Sequence, residues 1–184
     1  MRKDFGVKPW LMPQPVLIIG TYDKNGVPNA MNAAWGGTYD MDKVIIALSK
    51  HKTTENLKIN KAFTLAFATK STIVASDYVG LVSGSKEPNK IKKAGLTTIK
   101  SNRVNAPIFD EYPLVMECLV DNFDEVNEVL IGKIVNISVD EKYIKNGQID
   151  TKALEIVCYD AINHKYRLMG EEIADAFKVG LKLK

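Results

Sequence analysis

The first half of the chain alternates apolar runs with short turn segments. Residues 16–22 form an apolar run, and the Asp23-Lys24-Asn25-Gly26 segment after it has the composition of a tight turn. The return run, residues 27–35, is rich in small residues, and two more apolar runs follow at 43–49 and 62–68. The pattern predicts a β-hairpin followed by two further strands.

Helical spacing is found between and after these runs. Thr53 or Thr54 is predicted to cap a short helix that runs through Ile59, because a threonine oxygen can accept from the free N–H groups of a first turn. Two more helices are predicted at residues 71–82 and 87–94, the second ended by Gly95. The tail at 171–179 has the spacing of a short amphipathic helix.

Strand patterning returns at residues 114–120 and 129–139, the acidic run at 121–128 is interpreted as the turn between them, and Asn146-Gly147 offers another tight turn. Short strands with helices gathered mainly in the middle favour a β-rich α+β fold, an antiparallel barrel with added helices, over an alternating α/β sheet. A chain of 184 residues with 46% hydrophobic content can bury one core without a disulfide or a metal. We therefore expect a single domain over residues 1–184, with Cys118 and Cys158 as reduced thiols.

Charge and hydropathy exclude several functions. Lysine and arginine total 25 against 22 acidic residues, and this small net charge does not predict a nucleic-acid surface. The basic segments at 50–61 and 86–103 could hold a small phosphate-bearing molecule. Pro9, Pro13 and Pro15 interrupt any signal peptide, and no apolar run reaches the roughly 20 residues of a membrane helix, so a cytoplasmic location is expected.

Several common site motifs are missing. No G-x-G-x-x-G follows a strand, and the segment from Gly80 to Lys86 lacks the spacing of a phosphate-binding P-loop. His51 and His164 are too few for a histidine-based metal site, and no G-x-S-x-G nucleophile elbow is found. We predict neither a metal site nor a catalytic side chain.

Two segments on either side of one predicted strand carry the candidate chemistry. Residues 28–35 combine small side chains with polar Asn32 and aromatic Trp35, and the following Gly36-Gly37 pair permits a close approach of backbone to ligand. A flat flavin ring would use such backbone N–H groups and apolar surface. Residues 49–56 combine lysines, hydroxyls and a helix N-terminus, which suit a phosphate. Each segment also has an ordinary interpretation, as a core aromatic residue and as a helix cap.

The stretch Asn29-Ala30-Met31-Asn32-Ala33-Ala34-Trp35 closely resembles the N-x-M-T-x-S-W motif of flavin reductase-like and flavoredoxin proteins. The resemblance continues in the family's order through S-D-Y-V-G-L-V-S-G at 76–84, N-K-I at 89–91, K-A-G-L-T at 93–97 and Y-R-L at 166–168. It extends over nearly the whole chain, so that no single motif has to carry it.

This resemblance implies an antiparallel Greek-key split β-barrel that binds FMN non-covalently, with a homodimer that places the flavin near the subunit interface. It implies isoalloxazine contacts from one set of residues, namely Met31, Asn32, Ala33, Ala34 and Trp35. It implies contacts to the ribityl phosphate from a second set, namely Ser49, Lys50, Lys52, Thr53 and Thr54. Ser83, Gly84 and Lys90 match family positions near the flavin, although helix termination and packing explain them equally well.

Some positions depart from the family pattern. Asn32 replaces a common threonine and Ala34 a common serine, which changes a hydrogen bond near the reactive edge of the ring and could shift the flavin potential. A histidine that many relatives carry before the strand at 129–139 is replaced by Asn127-Glu128, so any role of that histidine in nicotinamide use is in doubt.

The resemblance leads to two functional hypotheses. The first is an FMN-dependent oxidoreductase that passes electrons from NAD(P)H, a transient donor, to a flavin, a ferric complex or a protein. The alternative is a flavoredoxin-like electron carrier that a protein partner reduces. A barrel that binds another ligand, such as haem, is disfavoured by the phosphate-suited segment and the shortage of histidines. No nucleic-acid or membrane partner is expected.

Overall fold

The computed structural model describes residues 1–184. Its strands are β1 (Gln14–Pro15), β2 (Leu17–Tyr22), β3 (Pro28–Ala33), β4 (Gly36–Asp40), β5 (Lys43–Ala47), β6 (Ala62–Phe67), β7 (Thr98–Lys100), β8 (Pro107–Phe109), β9 (Leu114–Asp124), β10 (Val129–Val139), β11 (Ile144–Lys145), β12 (Gln148–Ile149), β13 (Val157–Asp160) and β14 (Lys165–Leu168). Its helices are α1 (Lys52–Asn60), α2 (Ile73–Leu81), α3 (Lys90–Lys93) and two 3₁₀ helices, Glu141–Tyr143 and Val179–Leu183. None of these helices combines the length and the apolar character that crossing a membrane requires.

Seven strands form one antiparallel sheet in the order β3-β2-β6-β9-β10-β5-β4. Strands β3 and β4 lie at opposite edges of this sheet, yet only Ala34 and Trp35 separate them in the chain. Such a connection spans at most about 11 Å from one strand end to the next. The sheet must therefore curl until its two edges meet at this corner, and the predicted β-rich barrel with added helices is confirmed.

The core lies on both faces of the curled sheet. Leu17 and Ile19 of β2 point inward and pack in one cluster with Phe63 of β6 and Leu130 of β10. Ile18 points to the opposite face and packs with residues beneath α2. Because β2 is buried on both faces, it reads in the sequence as a continuous apolar run rather than an alternating one.

A small sheet of β1, β13 and β14 extends the barrel on one side. It is joined to the end of β6 by the hydrogen bond from Val157 N–H to the Ala68 carbonyl. This attachment brings β14 beside α2, where the Tyr166 hydroxyl donates to Asp77. Residues far apart in the sequence thus meet next to β3.

Most of the predicted strands are confirmed, and so are the turns at Asp23-Lys24-Asn25-Gly26 and Asn146-Gly147, where Gly26 has φ 77° and Gly147 has φ 75°. The cap prediction is wrong, because the N-cap of α1 is His51, with φ −142°. Thr54 lies inside the first turn, and its hydroxyl oxygen accepts from the His51 N–H at 3.0 Å.

Three other predictions need correction. The tail at 171–179 is not a helix, because Ile173 and Phe177 are 95% and 99% exposed, and an isolated helix of this length is marginal without a packed face. Within 87–94 only Lys90–Lys93 is helical. The acidic segment is mostly strand up to Asp124, so β9 is longer than predicted and the turn shorter.

Candidate functional site

A groove of about 240 Å³ runs along the free edge of β3. Its walls come from β3, the start of α1, the end of α2, the loop that follows α2 and the start of α3. It is lined by seven residues that the resemblance implicates in cofactor binding, namely Met31, Asn32, Lys52, Thr53, Ser83, Gly84 and Lys90. The structure therefore brings part of each chemistry-bearing segment, together with the later residues, to one place.

The edge of β3 leaves backbone groups unpaired. Strand β3 pairs only with β2, and the Lys90 ammonium donates to the Ala30 carbonyl oxygen at 2.6 Å, so this carbonyl points away from β2. In an antiparallel strand, residues two apart direct their N–H and C=O groups to the same side. The Asn32 N–H therefore also lies on the free edge, where a ligand in the groove can accept from it.

The other wall presents the N-terminus of α1. The N–H groups of Lys52 and Thr53 have no carbonyl partner within the helix, and the helix dipole adds partial positive charge there. The Lys52 ammonium lies 3.2 Å from an Asp23 carboxylate oxygen. Hydrogen bonding from the Val27 N–H is the main cause that lowers the pKa of Asp23, with Lys52 a smaller one. This end of the groove suits an anionic group that competes with Asp23 for Lys52.

Asn29 lies on the floor between these walls. Its Nδ2 donates to Thr53 Oγ1 at 2.9 Å, whereas its buried Oδ1 has no hydrogen-bond partner. Gly84 approaches so closely that a Cβ built on it would lie 2.3 Å from that oxygen. The floor thus combines an unsatisfied acceptor with a space that a side chain at residue 84 would fill.

Lys90 closes the groove from the side of α3. Its side chain is 4% exposed, and burial lowers its pKa from 10.5 to about 8. Below that pH the ammonium is charged, which reinforces the positive character of the groove.

Asn32 marks a second region of the groove, which is lined by uncharged side chains. It lies three residues from Asn29 along β3, which places the two about 10 Å apart. Its Nδ2 donates to the Ser76 carbonyl oxygen at 3.0 Å, and a Cβ on Gly80 would lie 3.0 Å from the Asn32 Cβ. Met31 and Leu81 add apolar surface. This region can accept a flat ring laid against the β3 edge.

Six of the implicated residues lie elsewhere. Ala33 is buried in the barrel core, while Ala34 and Trp35 line a separate apolar groove of about 770 Å³ beside the segment 8–15. Lys50 and Thr54 line a small cavity near Glu125 and Glu128. Ser49 is exposed, with its hydroxyl 3.4 Å from His51 Nε2. The structure does not place these six on the β3 groove of a single chain.

Sequence reasoning missed several lining residues. Asn29 and Gly80 stand in the two quoted motifs, so the resemblance itself could have indicated them. His51 lies within the predicted basic segment but was not singled out, and it becomes a lining residue because the helix begins there. No group of three or more His, Cys, Asp or Glu side chains is arranged to hold a metal ion.

The sequence matches a family model and a curated relative. A family model described as "Flavin reductase like domain" matches residues 10–153. A curated relative, an uncharacterised protein of Halalkalibacterium halodurans, is 25% identical over 177 residues, covering 88% of this chain and 84% of the relative.

Two solved structures share the fold over nearly their full length. The flavoredoxin of Desulfovibrio vulgaris (Miyazaki F) is 30% identical, with a TM-score of 0.93 over 98% of this chain and 100% of its own. The flavoredoxin from Methanosarcina acetivorans is 24% identical, with a TM-score of 0.87 over 100% of this chain and 98% of its own. The second likeness concerns the fold alone.

Proposed function

The chain belongs to the flavin reductase-like domain family, and on that premise we propose that it binds FMN non-covalently in the β3 groove and transfers electrons through it. The observation that carries the proposal is the pairing of two features in one groove. These are an anion-suited wall at the start of α1 and, about 10 Å along β3, an open strand edge beside Asn32. A ribityl phosphate and an isoalloxazine ring need such a pair.

The residues present fit this cofactor. The free N–H groups of the first turn of α1 and the Lys52 ammonium would hold the phosphate, in exchange for the Asp23 contact. The orphaned Asn29 Oδ1 would accept from a ribityl hydroxyl. Gly84 keeps that space open, because a Cβ there would collide with Asn29.

The residues at the ring end of the groove would orient the isoalloxazine ring and take no part in its redox chemistry. The Asn32 N–H on the free edge of β3 would donate to a ring acceptor, while Met31 and Leu81 would exclude water from one ring face. Bound FMN supplies the redox chemistry itself, so no side chain is assigned a catalytic role.

The size of the groove bears on how electrons reach the ring. Its volume of about 240 Å³ is smaller than the roughly 300–1,000 Å³ typical of a closed ligand pocket. FMN would be only partly enclosed by one chain, leaving part of the ring open. In the homodimer that we propose, this opening would face the interface, and the exposed apolar groove around Trp35, itself 59% exposed, would contribute to that interface.

A single functional domain is part of the proposal. The short strand β1 near the start of the chain pairs with β13 near its end. The contact between Tyr166 and Asp77 spans 89 positions in the sequence.

NAD(P)H is our first hypothesis for the electron donor. Because the chain has no dinucleotide-binding motif, the nicotinamide would stack transiently on the open part of the ring. The second candidate, a carrier reduced by a protein partner, is favoured by Asn127-Glu128 at the position of the family histidine and by the 30% identity to a flavoredoxin. Rapid oxidation of NADH or NADPH supports the enzyme, whereas reduction only by ferredoxin or dithionite supports the carrier.

The binding proposal is tested by the spectrum of the freshly purified protein, followed by titration of cofactor-free protein with FMN and with riboflavin, which lacks the phosphate. Lys52→Ala should weaken FMN binding about tenfold, or about 1.4 kcal/mol, and leave riboflavin binding nearly unchanged. Lys50→Ala is the matched control, because Lys50 lies two residues away and does not line the groove. A colourless protein that fails to bind added FMN would refute the proposal.

A further inference from the structure

Both tryptophans of the chain line the apolar groove around Trp35. Its walls come from the segment 8–15, which includes Trp10, from residues 34–36 and from β5. The groove measures about 770 Å³, within the roughly 300–1,000 Å³ of pockets that hold a bound molecule. A contiguous apolar surface with aromatic side chains is typical of an interaction site.

Gln14 gives this groove one polar atom that lacks a partner. Its side chain lines the groove and is 6% exposed, and its Oε1 has no hydrogen-bond partner. A buried acceptor without a donor is unfavourable. We therefore expect the occupant of the groove to bring an N–H donor together with apolar side chains, as a peptide segment does.

The C-terminal tail, residues 170–184, is exposed at every position. It nevertheless carries Ile173, Phe177 and Leu183, each of them at least 95% exposed. The hydrogen bonds made by the tail all stay within it. Nothing in the same chain therefore covers these apolar side chains.

A basic arm borders the groove. This N-terminal arm, residues 1–8, reaches the groove at Lys8, and Phe5 packs on Trp10 with 5.5 Å between the ring centroids. Its three basic residues are Arg2, Lys3 and Lys8. They outnumber the single carboxylate of the arm, and none of them forms an ion pair. The arm is therefore suited to an acidic segment.

The first half of the tail has the opposite charge. Residues 170–177 carry three carboxylates and no basic side chain, whereas residues 178–184 carry three lysines and no acidic one. Two of the carboxylates form no ion pair, and the third, that of Asp175, lies 3.4 Å from Lys178 in an exposed contact of little strength. Because Phe177 belongs to the acidic half, charge and apolar character bring the same part of the tail to the groove.

We propose that the tail of a second copy of this chain docks in the apolar groove around Trp35, with Ile173 and Phe177 against its apolar walls and the tail carboxylates along the basic arm. Within one chain the tail makes no hydrogen bond to the segments that line the groove, so the occupant comes from the second copy. A backbone N–H of the docked tail would donate to Gln14 Oε1. The inference rests on the homodimer of the proposed function and names the segment that each copy supplies. In a dimer with twofold symmetry each contact is made twice, so two tails fill two grooves.

Removal of the apolar anchor is the first test. Phe177→Asp should weaken dimerisation at least about tenfold, measured by analytical ultracentrifugation over a range of protein concentrations, because burying a carboxylate against apolar walls is unfavourable. Phe177 is 99% exposed in the single chain, so the substitution leaves the fold intact. Val74→Asp is the matched control, because Val74 is 80% exposed on α2 and lies outside the tail, the arm and the groove.

Charge reversal distinguishes docking between copies from docking within one chain. The arm variant carries Arg2→Glu, Lys3→Glu and Lys8→Glu. The tail variant carries Glu171→Lys, Glu172→Lys and Asp175→Lys. Each variant alone places like charges together, so it should dimerise at least about tenfold more weakly than wild type. In an equimolar mixture of the two variants, each arm meets a tail of opposite charge only in the other chain, so a heterodimer should recover the wild-type affinity.

The outcomes separate the docking from the rest of the proposed function. Recovery in the mixture, together with weakened dimerisation of Phe177→Asp, supports the docking. If wild type is dimeric and Phe177→Asp dimerises equally well, or if the mixture fails to recover, the docking alone is overturned. A wild-type protein that stays monomeric at every concentration overturns the homodimer and the docking together, whereas FMN binding is decided separately by the cofactor titration.

Discussion

Replacing Lys90 with methionine should change how stability depends on pH. The Lys90 side chain is nearly fully buried, and its ammonium donates to the Ala30 carbonyl at 2.6 Å. Burial lowers its pKa from 10.5 to about 8. Methionine has a similar volume and no charge, so Lys90→Met removes the titration and leaves the packing nearly intact.

The sign follows from proton binding. Between pH 8 and 10.5 the unfolded chain holds the Lys90 proton and the folded chain has released it, so the folded state gains stability as the pH rises. One pKa unit is worth about 1.4 kcal/mol, so the full gain is about 3 kcal/mol. Between pH 7 and pH 10 the folded state gains about 2 kcal/mol of this stability.

Other buried groups act in the opposite direction. Burial raises the pKa of Cys118 and that of Tyr112 to about 12, so the folded state keeps these protons longer and loses stability above about pH 9. The wild-type curve alone therefore cannot isolate Lys90. The difference between wild type and Lys90→Met can, because both proteins share the other groups.

Urea unfolding at pH 7 and pH 10 measures this difference. At pH 7 the two proteins should have similar stability, because the lost desolvation cost of the ammonium is offset by a buried Ala30 carbonyl left without a donor. At pH 10 the free energy of unfolding of wild type should exceed that of Lys90→Met by about 2 kcal/mol more than it does at pH 7. Lys86→Met, at an exposed lysine of the neighbouring loop, is the control. Parallel pH profiles for wild type and Lys90→Met would refute the reasoning.

Three further substitutions or reactions test the groove and the core. Gly84→Ala should weaken FMN binding at least about tenfold in a fluorescence titration, since its Cβ would lie 2.3 Å from Asn29 Oδ1. Gly37→Ala, whose Cβ would meet nothing within 4 Å, should leave the affinity unchanged. Equal affinities of the two variants would contradict FMN binding in the β3 groove. Gly132→Ala should lower the free energy of unfolding by about 1–3 kcal/mol in urea, because its Cβ would lie 2.3 Å from the Phe63 ring in the core; an unchanged midpoint would contradict this packing. Native protein should react with a thiol reagent at half-buried Cys158 and not at Cys118, because Cys118 is buried and its pKa is raised to about 12. After denaturation one more thiol should react. Two fast-reacting thiols in native protein would contradict the burial of Cys118.

The strands that sequence patterning predicted are those whose burial follows a regular pattern, continuous or alternating, along their length. Strand β2 is buried on both faces and β10 alternates, so each leaves a periodic signal. Strand β4 has the sequence G-G-T-Y-D and is largely exposed, so its residues carry no such signal. It forms because the tight turn at Met41-Asp42 folds it back against β5. Gly36 also lies close to Leu17 of β2, the strand next to the opposite edge of the sheet.

The candidate site was predictable where a motif stays on one wall. Asn29, Met31 and Asn32 follow the β3 edge, but the chain then crosses to the other edge of the sheet at Ala34 and Trp35, which carries these two residues to a different surface. The side chains of Thr53 and Thr54 lie in different places because successive side chains on a helix point in different directions. Thr53 reaches Asn29, whereas Thr54 turns back to His51.

The same open edge explains why Lys90 and the groove belong together. An edge strand leaves unpaired N–H and C=O groups that invite another chain to pair with them, so proteins cover or charge such edges. Here α3 covers β3, and the Lys90 ammonium satisfies the outward carbonyl of Ala30. It has no acceptor to offer the outward N–H of Asn32, because an ammonium only donates. The α3 cover thus provides a donor for the outward carbonyl of Ala30 and leaves the outward N–H of Asn32 to a ligand with acceptor atoms. An isoalloxazine ring would use this N–H.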